Sequence, residues 1–85
     1  MNERTYKVIK LSPWMFWGFE VNHMCDTGMR VKLNDDCDDR FIINALRQVG
    51  ALRKRVHAFT CEHNDDVIYI DRYGKPVFQL HEVMS

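Results

Sequence analysis

The chain carries no net charge. Twelve Lys and Arg balance twelve Asp and Glu over 85 residues, so the molecule as a whole has no field with which to draw in nucleic acid or anionic lipid, and a general DNA-packaging role is not expected. Long apolar runs are also missing. The longest, PWMFWGFEV at 13–21, is too short to cross a membrane as a helix, and no membrane partner is expected. The first ten residues, MNERTYKVIK, mix charges with apolar side chains and do not read as a secretory signal. Cysteine is scarce and odd in number: three residues at irregular spacing argue against a disulfide framework and for reduced thiols in the cytoplasm.

The motifs of catalysis are absent as well. There is no glycine-rich phosphate loop, no G-x-S-x-G and no H-E-x-x-H, so no enzyme class is indicated and no cofactor is expected. Cys37 lies among Asp35, Asp36, Asp38 and Asp39, whose charges would raise a thiol pKa, the wrong direction for a nucleophile. No repeat, low-complexity tract or linker divides the chain. Residues 1–85 are read as a single domain with one core.

What is present is a composition that is 46% hydrophobic and 28% charged, ordinary for a globular domain. Strand formers dominate both ends. TYKVIKL (5–11) reads as a first strand closed by Ser12-Pro13, and residues 14–22 read as a second. Its odd positions, Met15, Trp17, Phe19 and Val21, form an apolar face expected in the core by the two-residue period of a strand. Its even positions fade from Trp14 and Phe16 through Gly18 to Glu20, and Gly18 is taken as a bulge or a close approach. Asp26-Thr27-Gly28 is expected to turn the chain. In MRVKL (29–33), Met29, Val31 and Leu33 face in while Arg30 and Lys32 face out.

A helix follows. An aspartate among 35–38 caps it, Phe41, Ile42, Ala45, Leu46 and Val49 share its apolar face, and Gly50 is the natural residue to end it. Beyond it, VHAFTCE (56–62), VIYID (67–71) and VFQLHEV (77–83) read as a meander, with turns at HNDD and RYGKP. The order β-β-β-α-β-β-β predicts an α+β fold: an antiparallel sheet with one amphipathic helix packed on it.

Three function classes remain. The first is a small non-enzymatic module that binds another protein or complex, acting by stoichiometric binding. Phage and mobile-element inhibitors of host complexes, anti-CRISPR proteins included, share this profile of size and composition. Its binding residues would be Trp14 and Phe16, the acidic knot Asp35, Asp36, Asp38 and Asp39 facing a basic surface of the partner, and Tyr73 at an exposed turn. A dipole effect of roughly 0.3–1 kcal/mol accounts for part of that knot, since acids suit a helix N-terminus. The second class is a nucleic-acid-binding accessory domain using Arg53, Lys54 and Arg55 after the helix, with Phe59 nearby. The third is a zinc-binding structural module on His23, Cys25, Cys61 and His63. Those residue types suit zinc, whereas their one-residue spacing is unlike the usual C-x-x-C or H-x-x-x-H.

Overall fold

A computed structural model of the chain describes residues 3–53 and 58–83, with residues 13–16 and 20–22 described by their backbone only. Five strands and one helix follow in the order β1 (Glu3–Phe16), β2 (Phe19–Asn34), α1 (Asp39–Gln48), β3 (Phe59–Asn64), β4 (Val67–Arg72) and β5 (Lys75–Glu82). Every neighbouring pair is antiparallel, in the spatial order β2-β1-β5-β4-β3. The fold is α+β, an antiparallel sheet with one helix. No helix among the described residues is long and apolar enough to cross a membrane.

The three strands expected before the helix are two long ones. Pro13 does not end β1; it falls beyond Lys10, the last residue of β1 that pairs with β5, where the strand is bonded on the β2 side alone. A proline is tolerated in such a half-free segment because fewer ladder bonds depend on its missing N–H. The chain reverses instead at Trp17-Gly18, a two-residue loop between Phe16 and Phe19. Both loop residues have positive φ, 52° and 80°, the requirement of a type I′ hairpin turn whose twist matches its strands.

Asp26-Thr27-Gly28, expected as a turn, is a bulge within β2. The register passes from Lys7↔Arg30 to Ile9↔Asp26, so Val8 alone on β1 faces Thr27, Gly28 and Met29. The extra residues are held in place: Thr27 Oγ1 donates to the Val8 carbonyl (2.8 Å), the Met29 N–H donates to Thr27 Oγ1 (3.2 Å) and the Gly28 N–H donates to Asp26 Oδ1 (2.9 Å). That last bond, ahead of the Arg30 guanidinium 3.3 Å away, holds the Asp26 carboxyl below its ordinary range. Gly28, at φ 80°, supplies the left-handed residue such a bulge uses, and a bulge of this kind bends its strand.

The helix is built as the sequence predicts at both ends. Asp38 caps it, accepting from the Phe41 N–H at 3.0 Å. Gly50 (φ 87°) closes it, with its N–H donating to the Arg47 carbonyl and the Ala51 N–H donating to the Leu46 carbonyl, the paired bonds of a Schellman motif. Its buried face is Ile42, Ile43 and Leu46. Phe41, expected on that face, is 64% exposed, and Val49 is also exposed. The difference is one of rotation: a helix of ten residues touching β2 and β3 buries a narrow stripe, and Ile43 takes the place expected of Phe41.

Because β2 and β3 are the two edge strands, the connection between them must carry the chain from one edge to the other, and α1 lies across one face of the sheet. Beneath it Tyr6, Val8, Val31, Leu33, Ile68, Ile70, Phe78 and Leu80 pack with the helix residues into one cluster. Val8, Ile42, Leu46, Ile68, Ile70 and Leu80 are its most enclosed members, each contributing about 1.5–3 kcal/mol by burial. Met29 packs against it as well, so the expected alternation of Met29, Val31 and Leu33 holds. Arg4 ties the start of β1 to the segment before the helix through Asp35 (3.0 Å) and to β5 through Glu82 (3.6 Å).

Candidate interaction surface

Beyond Lys10 β1 pairs only with β2, so the rest of both strands forms a two-stranded arm ending at Trp17-Gly18. A type I′ loop turns the side chain of its first residue outward. Trp17 is accordingly 83% exposed, and Phe19 beside it 73%. This overturns their expected place in the core. The assumption that failed was that the strand continues through Trp17; once the loop sits there, the period-two pattern restarts and the inward face is lost. Trp14, Phe16, Met15 and Val21 lie in the arm, and their side chains fall outside the described residues. Gly18 is the second loop residue rather than a bulge.

Tyr73 repeats the device. Tyr73-Gly74, with φ 52° and 75°, closes the β4–β5 hairpin, and Tyr73 is exposed as the sequence suggests. Its ring lies 5.4 Å from the Arg72 guanidinium carbon, a cation–π contact within its own hairpin.

The acidic knot is largely occupied inside the molecule. Asp35 pairs with Arg4, Asp38 caps α1, and Asp39 accepts the Cys61 N–H at 3.2 Å, joining the helix start to β3. Asp36 is exposed and forms no hydrogen bond or ion pair among the described residues. Of the basic segment, Arg53 is exposed, while Lys54 and Arg55 lie outside the described residues, as does His57.

The four zinc candidates do not converge. Cys25 and Cys61 stand at opposite ends of one cross-strand row, Cys25–Lys10–Phe78–Ile70–Cys61, four strand spacings or roughly 19 Å apart along the sheet. His23 and His63 follow them onto the same two edge strands. Among the described residues no three His, Cys, Asp or Glu gather as a metal would require. Burial, with Asp39 and Asp71 adding repulsion, also pushes the Cys61 thiol up to about 12, which keeps it protonated and a poor ligand or nucleophile at neutral pH. Cys37 is engaged locally, its Sγ accepting the Asn34 N–H at 3.3 Å.

The face of the sheet away from the helix carries a second feature that the sequence reading missed. Glu62, Tyr69, Gln79, Ile9 and Asp26 stand in register across all five strands. Ile9 and Leu11 are buried on this face and belong to no part of the helix-side cluster. A cavity of about 360 Å³ is lined here by Leu11 and Met24 from the arm and by Glu62, Tyr69, Asp71 and Pro76 from β3, β4 and β5. Met24 and Glu62 are on opposite edge strands, roughly 19 Å apart in a flat sheet. For both to line one cavity the sheet must curl, bringing the arm up over this face, as the bulge at Asp26–Met29 promotes. The signals available in the sequence were the Trp-Gly dipeptide between two strand-like runs, which matches the Tyr-Gly of the recognised hairpin, and Asp-Thr-Gly within an otherwise continuous alternation.

Compared with known proteins, the chain matches no family model, no curated protein and no solved structure.

Proposed function

We propose that this chain is a non-enzymatic protein-binding module that engages its partner with the tip of the β1–β2 arm, acting by stoichiometric binding as an inhibitor or adaptor of a larger complex. The observation that carries this reading is the pair of large aromatic side chains at the tip, Trp17 at 83% and Phe19 at 73% exposure. Tryptophan is the residue type most enriched at interface hot spots, since one rigid side chain removes a large apolar area from water when a partner covers it. The turn geometry supports the same reading: a tryptophan at positive φ is held in a backbone region unfavourable to L-residues by roughly 1–2 kcal/mol, where glycine or asparagine would fold more easily.

The partner surface moves accordingly. Trp17 and Phe19 take the place given to the acidic knot, because Asp35, Asp38 and Asp39 already serve contacts within the fold. The test is a pull-down from native source lysate with the wild-type chain and the Trp17→Ala/Phe19→Ala double variant, each first shown to have the same far-UV circular dichroism. The wild type is expected to retain a stoichiometric partner that the double variant loses. An identical set of retained proteins would overturn the reading.

A further inference from the structure

The cavity under the arm has a chemistry distinct from the tip. Its floor and one wall are apolar: Leu11 is 5% exposed, with Met24 and Pro76 beside it. Its other side carries Tyr69, 38% exposed, between two carboxylates. Glu62 is the cross-strand partner of Tyr69, and Asp71 lies two residues along β4 on the same face. Glu62 and Asp71 are therefore diagonal neighbours across the β3–β4 pair, about 7–8 Å apart at the backbone, close enough for their side chains to meet one group from two sides. Neither forms an ion pair among the described residues, and none of the described residues lining the cavity is basic.

We infer that this cavity is a receptor site for a single arginine side chain presented by a partner protein. A neutral molecule that sets two unpaired carboxylates beside an aromatic ring in a concavity favours a cation there and penalises an anion. The volume is at the small end of ligand sites, suited to one side chain and not to a nucleotide or large cofactor. Arginine satisfies the arrangement more fully than lysine. Its guanidinium offers donors along two edges, one for each carboxylate, and a flat face to lie on the Tyr69 ring, while its aliphatic stem lies against Leu11, Met24 and Pro76. The site goes beyond the proposed role of the tip and is independent of it, since no tip residue lines the cavity.

The probe is the capped tripeptide Ala-Arg-Ala, titrated into ¹⁵N-labelled protein by NMR at low salt, with the Ala-Lys-Ala and Ala-norleucine-Ala peptides in parallel. The arginine peptide is expected to give saturable shifts at the Glu62, Tyr69 and Asp71 amides, to bind more tightly than the lysine peptide, and to weaken as salt rises. Glu62→Gln/Asp71→Asn should weaken it at least about tenfold, as should norleucine in place of arginine. Trp17→Ala/Phe19→Ala should leave the titration unchanged, which separates failure of this site from failure of the tip. No saturable shift up to about 10 mM, near the weak limit of measurable binding, would overturn the inference; so would equal binding of the norleucine peptide or a preference for lysine.

Discussion

The two ends of the β1–β2 hairpin are made of the same kinds of residues and behave oppositely. Near its open end, Tyr6, Val8, Val31 and Leu33 are buried beneath α1. Toward its closed end, Met24, Phe19 and Trp17 are exposed at 51%, 73% and 83%. The change falls along the arm, past Lys10, where β1 leaves β5, and past Leu11, which is still buried. Apolar character alone therefore does not assign a residue to a core; a second layer has to be there to cover it. Over the body of the sheet α1 is that layer, and at the tip of the arm a partner would be.

The contrast can be tested at its two exposed and buried thiols. Cys25 is exposed on the arm, whereas Cys61 is half-buried in the body with its pKa pushed up from 9.0 to about 12. At pH 8 that shift leaves roughly a thousand-fold less thiolate on Cys61. Iodoacetamide labelling read by peptide mass spectrometry should modify Cys25 well before Cys61, whose thiolate is suppressed by burial and by Asp39 and Asp71. Equal rates would mean that Cys61 is not enclosed beside Asp39 and Asp71.

Stability gives the next largest separation. Leu46→Ala empties a site with no exposed surface under the helix and should cost about 2–5 kcal/mol in urea unfolding. Trp17→Ala removes a larger side chain from the arm and should change stability by less than about 0.5 kcal/mol, the usual range for an exposed site. If both cost several kcal/mol, the tip is packed and its role in binding fails.

Gly28 offers the most local test. At φ 80° with nothing within 4 Å of where a Cβ would sit, Gly28→Ala meets no steric clash and should cost about 1–2 kcal/mol from backbone conformation alone. Hydrogen exchange should rise at the amides of the arm and stay unchanged at those of β4 and β5. Uniform destabilisation would show that the bulge belongs to the body of the sheet rather than setting the bend of the arm.

Much of this fold was legible in residues. Asp38 and Gly50 marked the helix ends, because capping chemistry is local and each needs only its neighbours in sequence. Val31 and Leu33 were placed inward by alternation, and Tyr73-Gly74 marked a hairpin by the φ its glycine allows. Trp17 and Phe19 were misplaced because the same period-two pattern fits a strand running through Gly18 and a hairpin turning at it. Nothing local decides between those, since the choice depends on what β1 pairs with. The zinc reading failed for a related reason: Cys25 and Cys61 are alike in sequence pattern, but strand order sets them on opposite edges.

By itself the sequence determined the class of the fold, the helix and its caps, the β4–β5 turn and the absence of any familiar catalytic motif. Each of these rests on interactions between residues close in the chain. Tertiary structure alone decided which aromatic side chains remain uncovered, which aspartates are already engaged, and that Leu11, Met24, Glu62, Tyr69 and Asp71 share one cavity. Those outcomes depend on strand order and on how the sheet is shaped across its strands, and they bring together residues up to four strands apart, a distance over which no sequence periodicity extends.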